Sequence, residues 1–137
     1  MRRPRRPSKK VSQRMKRVRT VGTLPEFDLW RALAKLTRAK FEVDTRPEPD
    51  VNRRADLIFR RRRLAVFVDG CFWHGCPRHY STPRRNAAWW TDKIERNRRR
   101  DKQTSRLLRR TGWTVVRVWE HEEPSRAAAR IVKKLRV

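Results

Sequence analysis

Apolar residues in this chain fall into short runs separated by long basic stretches. The first stripe is Phe27, Trp30, Leu33 and Ala34, extended by Leu36, and its spacing is helical. Thr23 stands ahead of it as an N-cap, with Pro25 and Glu26 in the first turn, so a helix is predicted to start near Thr23. Phe41 to Asp44 read as a short strand, and residues 45–54, with Pro47, Pro49, Asp50 and Asn52, as a loop. Two compact apolar runs follow, Ala55–Phe59 and Leu64–Val68. The charged turn Arg60–Arg63 between them predicts a hairpin. Asn86 to Arg110 read as one long helix that Gly112 stops. Trp113–Trp119, with Val115, Val116 and Val118, predicts a further strand, and Pro124–Val137 a final helix. The order helix, strands, helix, strand, helix predicts an α/β domain: a single mixed β-sheet flanked by helices. No internal repeat interrupts it.

Composition adds a partner to this outline. The chain has 137 residues, enough for one domain with a substantial core, and carries 39 Lys and Arg against 14 Asp and Glu. Its net charge of +25 points to a polyanion, whose released counterions would drive binding. A basic protein of ribosomal or histone-like type, without chemistry, satisfies the same charge. Arg2, Arg3, Arg5, Arg6, Lys9, Lys10, Arg14, Lys16, Arg17 and Arg19 crowd the first twenty positions, and no acid precedes Glu26. Residues 1–20 are therefore expected to form a basic arm that orders on DNA, ahead of a folded domain over 21–137. A solubilising tail is the plainer account of that arm. No run has the length of a membrane span, and no apolar segment follows the charged start, so a cytoplasmic protein is expected.

Candidate chemistry concentrates where the strand Leu64–Val68 ends. Residues 69–79 hold Asp69, both cysteines of the chain (Cys71 and Cys76) and two of its three histidines (His74 and His79). Cys71, Cys76 and His79 have metal-ligand spacing, and His121, just past the strand ending at Trp119, is the fourth candidate. Two thiolates and two imidazoles suit zinc better than magnesium, and four protein ligands would make the zinc structural. Two buried cysteines beside solvated histidines are the alternative. His74 is left over inside the same turn, available for acid–base work near neutral pH.

Asp56 opens one hairpin strand and Asp69 closes the other, which brings the two carboxylates close together. Oxygen ligands so placed suit Mg²⁺, the ion that phosphodiester hydrolysis commonly uses; pairing with the abundant arginines is the alternative. On the long helix Trp90, Ile94, Asn97, Asp101 and Leu108 share one face. Asp101 is thereby a candidate to orient His74, with an arginine such as Arg98 or Arg117 as the competing partner. Phe72, Trp73, Trp89 and Trp90 flank this region and can stack on bases, or simply pack. Trp30, Trp113 and Trp119 read as core.

Taken together these residues resemble the very short patch repair endonucleases, a branch of the PD-(D/E)XK nuclease fold. The resemblance runs from about Ser12 to Glu120 and rests on specific segments. They are Met15-Lys16 with Glu26 beyond; Ala55-Asp56; Gly70-Cys71-Phe72-Trp73-His74; Trp90 with Lys93, Ile94, Asn97 and Asp101; and Gly112-Trp113 through Trp119-Glu120. It implies a restriction-endonuclease-like core with a structural zinc site, and an enzyme that nicks one DNA strand beside a T:G mismatch using Mg²⁺. Asp56 and the Val68 carbonyl would bind Mg²⁺, Glu26 would act on it through water, and His74 would be the catalytic histidine paired with Asp101. Asp69 stands where the family often has His, and adds a carboxylate able to ligate Mg²⁺ itself. Phe72, Trp73 and Trp90 would wedge into the duplex, with Lys93, Asn97, Met15 and Lys16 in the DNA-binding set and the amino-terminal arm clamping the groove. Cys71, Cys76, His79 and His121 would hold Zn²⁺.

The resulting expectation is a monomeric, nucleoid-associated bacterial endonuclease acting on mismatched double-stranded DNA, with other mismatch-repair proteins as further partners. Two rivals stand beside it. One is a same-fold restriction or defence nuclease that cuts modified or foreign DNA. The other is a zinc-stabilised DNA-binding protein without activity.

Overall fold

A computed structural model of the chain describes residues 24–136. Helix α1 spans Leu24–Leu36, β1 Glu42–Thr45, β2 Ala55–Phe59, β3 Leu64–Asp69, α2 Ala87–Arg110, β4 Thr114–Trp119 and α3 Pro124–Leu135, with a 3₁₀ turn at Arg60–Arg62. The strands lie in the order β1-β2-β3-β4. β1 and β2, and β2 and β3, pair antiparallel; β3 and β4 pair parallel, with α2 as the crossover between them. The result is the single mixed sheet expected from the element order. Among the described residues no helix is long and apolar enough to cross a membrane.

Period-2 alternation divides the strand residues between two faces. Leu57, Phe59, Leu64, Val66, Val116 and Val118 pack with Leu29 and Leu33 of α1 and Ala127, Ile131 and Leu135 of α3. Ile58, Ala65, Phe67 and Val115 pack on the other face with Leu108 of α2 and with Trp113. Each fully buried Leu or Ile here stabilises by about 1.5–3 kcal/mol relative to an exposed one. Asp56, Asp69 and Arg117 share the alternation of the α2 face, so that layer is apolar at one end and charged at the other. The site lies at the charged end.

Local signals account for most element ends. Gly112 takes φ +92°, and the backbone N–H groups of Gly112 and Trp113 bond the carbonyls of Arg109 and Leu108 at the end of α2. Pro124 opens α3, and the Glu123 carboxylate accepts hydrogen bonds from the N–H groups of Ser125 and Arg126. β1 begins at Glu42 rather than Phe41, whose ring packs on Phe59 at 5.6 Å.

The buried stripe of α1 differs from the expected one. Leu29 and Leu33 are buried, together with Glu26, whereas Phe27, Ala34 and Leu36 are exposed. Phe27 instead packs edge-on against Trp30 at 4.8 Å, and Trp30 is only half-buried, as is Trp119. α1 meets α3 along one narrow face, so the apolar side chains beyond that face stay outside. The expected N-cap, Thr23, and the arm over residues 1–20 lie outside the described residues.

Candidate functional site

The turn that follows β3 is built like a short coil of helix. The N–H of His74 bonds the Gly70 carbonyl at 3.1 Å, that of Cys76 the Cys71 carbonyl at 2.9 Å, and that of Tyr80 the Cys76 carbonyl at 2.9 Å. Side chains from two elements pin it. From α2, Asn97 Nδ2 donates to the Trp73 carbonyl at 2.8 Å, Arg98 Nε to the His74 carbonyl at 3.2 Å, and Arg98 Nη2 to the Gly75 carbonyl. From beyond β4, Glu120 Oε1 accepts the Cys71 N–H at 2.8 Å. Gly75 has φ +61°, and a Cβ there would meet Ile94 Cγ2 at 2.6 Å. Only glycine allows so close an approach of the turn to α2.

One side of this turn carries the sulfur cluster. The ligand atoms of Cys71, Cys76, His79 and His121 all lie within 4.8 Å of one another. Nδ1 of His121 is 3.2 Å from Cys71 Sγ and 3.6 Å from Cys76 Sγ, and Nδ1 of His79 is 3.7 Å from Cys76 Sγ. A tetrahedral ion with bonds of 2.0–2.3 Å sets its ligands about 3.3–3.8 Å apart. The spacing and the donor types therefore fit zinc. Both cysteines are buried and free of disulfides. Burial, Cys76 and Glu120 push the Cys71 thiol up to about 12, so only a cation would make two thiolates at this place favourable.

The other side carries the histidine site. Nδ1 of His74 bonds Asp101 Oδ2 and lies 3.8 Å from Asp69 Oδ1. A carboxylate only accepts, so Nδ1 bears a proton, and in the neutral form of the ring Nε2 carries the lone pair. That Nε2 is buried and has no hydrogen-bond partner among the described residues. Burial pushes the Asp101 carboxyl up, but its bond to His74 and the charges of His74, Arg117 and Arg100 outweigh this and hold it below the ordinary value. Arg117 joins the pieces. It donates to Asp69 at 2.9 Å, to Ser105 Oγ at 2.9 Å and to the Asp101 carbonyl at 3.0 Å, and its guanidinium lies 4.4 Å from the centre of the Phe67 ring. Asp101 thus meets the histidine through its side chain and Arg117 through its backbone.

Asp56, Asp69, His74 and Asp101 line one cleft of about 390 Å³, with Arg53, Arg54, Arg100 and Arg117 on its walls. Asp56 Oδ2 accepts the Val68 N–H at 2.6 Å across the hairpin, just beyond the paired residues Leu57 and Val66. Carboxylate oxygens are the donors Mg²⁺ favours, and the cationic walls suit a phosphodiester. Glu26 is buried in the first turn of α1 and is not among the residues lining this cleft.

Phe72, Trp73 and Trp90 form one edge-to-face cluster with centroids 5.2–6.0 Å apart. Trp73 and Trp90 are buried, at 7% and 1% exposure, and Phe72 is the partly exposed member. Lys93 lies half-buried on α2, one turn from Trp90 and from Asn97, which is buried. Met15 and Lys16 fall outside the described residues.

The sequence pointed to Arg117 only as a rival partner for Asp101, not as the group that ties Asp69, Ser105 and the Asp101 carbonyl together, and it assigned Glu120 no role in holding the turn. The signal for Arg117 was a lone cation inside the apolar run Val115-Val116-Arg117-Val118, which must find an acid on the sheet face.

Residues 6–79 match the sequence model of the family described as DNA mismatch endonuclease Vsr. The type II nicking enzyme V.NaeI of Lentzea aerocolonigenes is 42% identical over 125 residues, covering 90% of this chain and 75% of that protein. The type II nicking enzyme V.XorIIP of Xanthomonas oryzae is 37% identical over 110 residues, 79% and 77% of the two chains. DNA mismatch endonuclease Vsr of Escherichia coli is 34% identical over 68 residues, 49% and 44% of the two. With the mixed sheet and the acidic, histidine-bearing cleft at its charged end, these similarities establish that the chain belongs to the Vsr family and is a DNA-nicking endonuclease.

Proposed function

We propose that the enzyme hydrolyses one strand of duplex DNA beside a T:G mismatch, with Mg²⁺ in the acidic cleft and Zn²⁺ in the sulfur cluster. The observation that carries this reading is the His74–Asp101 pair, whose other imidazole nitrogen is buried and, among the described residues, unpartnered in a cleft shared with Asp56 and Asp69. Asp56, Asp69 and the Val68 carbonyl would hold Mg²⁺, with Glu26 acting at longer range. When bound, that ion draws charge from the scissile phosphate and acidifies water. His74 Nε2 takes the proton from the attacking water as oxygen bonds to phosphorus and the opposite ester bond breaks, and the departing sugar oxygen takes a proton from solvent water. Asp101 positions the ring and offsets the imidazolium charge, and Arg117 holds both flanking acids in register. Cys71, Cys76, His79 and His121 would hold Zn²⁺, which fixes the turn bearing His74.

Mismatch choice is assigned to the aromatic cluster. Phe72, the partly exposed member, would enter the stack with the buried Trp73 and Trp90 packed behind it, and the stack costs less to open at a mismatched step. Lys93 belongs to the same surface, the buried Asn97 supports it from behind by holding the Trp73 carbonyl, and residues 1–20, with Met15 and Lys16, would clamp the groove. The enzyme acts as a bacterial cytoplasmic monomer, with other mismatch-repair proteins as its partners.

Labelled duplexes that differ only in one T:G or T:A pair test the reading, with and without Mg²⁺. The expected result is Mg²⁺-dependent nicking of one strand of the T:G duplex alone. Asp56→Ala should cut at least about 10³-fold more slowly yet bind nearly as well. Equal nicking of both duplexes would favour a defence nuclease, and full cutting by Asp56→Ala would remove Asp56 from the site.

A further inference from the structure

A second hollow of about 590 Å³ adjoins the histidine cleft, and Asp101 and Arg117 line both. The rest of its lining comes from the C-terminal half of α2: Lys102, Ser105, Arg106, Arg109 and Arg110. These positions recur at three- and four-residue steps and share a helix face. The two halves of α2 use their cations differently. In the first half Arg96 pairs with Asp92 at 3.0 Å, Arg99 approaches Glu95 at 3.9 Å, and Arg98 holds the histidine turn. In the second half, among the described residues, none of Lys102, Arg106, Arg109 and Arg110 forms an ion pair. Like charges three and four residues apart repel, so this face is destabilised until an anion covers it. The helix dipole favours cations in the last turn, which accounts for Arg109 and Arg110 but not for Lys102 and Arg106.

From Lys102 to Arg110 the helix rises about 12 Å, the axial length of three or four nucleotides of one strand. We propose that this hollow is a phosphate-tracking subsite. It holds the backbone of one DNA strand next to the scissile phosphate, with Lys102, Arg106, Arg109 and Arg110 contacting its phosphates. The proposal rests on the reading above, which sets the scissile phosphate at His74. Contacts of this kind add affinity and register without reading sequence.

The test compares Lys102→Ala/Arg106→Ala with Lys133→Ala/Lys134→Ala in the full-length protein. The control pair removes the same charge from the end of α3, on the opposite face of the sheet. Binding to a fluorescent duplex with a central T:G pair is followed by anisotropy in Mg²⁺-free buffer across a salt series, and melting temperature confirms folding. The expected result for the α2 variant is affinity at least about tenfold weaker, with a salt slope smaller by about 1.8, or 0.9 per lost phosphate contact. The α3 variant should change less than about threefold, with its slope kept. Unchanged binding by the α2 variant, or equal losses in both, would overturn the proposal. This readout needs no cutting, so failure of the nicking reading would show separately, as a wild-type enzyme that binds but leaves the T:G duplex whole.

Discussion

Two groups of ligand-type side chains hang on one turn, and they differ in what they leave unsatisfied. At the sulfur cluster, four soft donors from the turn and from beyond β4 point at one another within 4.8 Å. A single ion would use every one of them, so the cluster has nothing left to offer a substrate. At the histidine site the donors are two carboxylates and one imidazole, and a cation already lies among them, since Arg117 pairs with Asp69. One imidazole nitrogen there has no partner among the described residues. Complete mutual satisfaction describes a staple; an open position on a rigid frame describes a reacting group.

Asp101→Asn should break this contrast most severely. Asparagine keeps the shape but can present an N–H to Nδ1, favouring the tautomer that protonates Nε2. The single-turnover nicking rate should fall by about 10²–10⁴, with DNA affinity kept. Stability should respond to pH in a defined direction. The folded-state value of Asp101 lies below its ordinary one, so its ionisation contributes stability above about pH 4 that is lost as pH falls through the lowered value. Wild type should therefore melt above the variant at neutral pH, and the gap should close in acid. A gap that widens in acid would contradict the assigned partner.

Cys76→Ser should act in the opposite order, on stability first. Metal analysis should show zinc lost, and unfolding should be easier by about 4 kcal/mol or more, since loss of a metal is among the few changes with effects that large. Nicking should fall only as the folded fraction falls, and recover in part on cooling. Retained zinc would remove Cys76 from the cluster, and a rate loss without a stability loss would make the cluster part of the chemistry.

Much of this was legible from the chain because its signals are local or scarce. β2 is bounded by a loop and a charged turn, and it runs over Ala55–Phe59 as expected. His121 was identifiable as a fourth ligand because it lies just past the strand ending at Trp119, in a stretch with no other thiol or imidazole, and its Nδ1 does lie beside both cysteine sulfurs. The Asp101 face of α2 followed from helical spacing alone. What escaped depended on tertiary partners. α1 has apolar residues on more than one side, and α3 decides that Leu29 and Leu33 go in while Phe27 and Leu36 stay out. Arg117 was legible only as a rival partner for Asp101, because its role needs three partners from β3 and α2 that no local pattern names. The aromatic trio was found as a group, yet the burial of Trp73 and Trp90 follows from how the turn seats on α2.

Gly75→Ala probes what the two regions share, with the smallest expected effect. The added methyl must occupy a left-handed backbone position and displace Ile94 or Arg98. The combined strain and displacement should cost about 1–3 kcal/mol of stability. Because Gly75 lies between His74 and Cys76, and its carbonyl accepts from Arg98, the shift should reach both sides of the turn at once. Zinc should bind more weakly and nicking should slow by about tenfold or less, in parallel across a temperature series. If zinc retention and rate respond independently, the turn is two separate supports, and the contrast between staple and reacting group holds without any coupling between them. If they move together, rigidity supplied at the sulfur side is what keeps the imidazole in place.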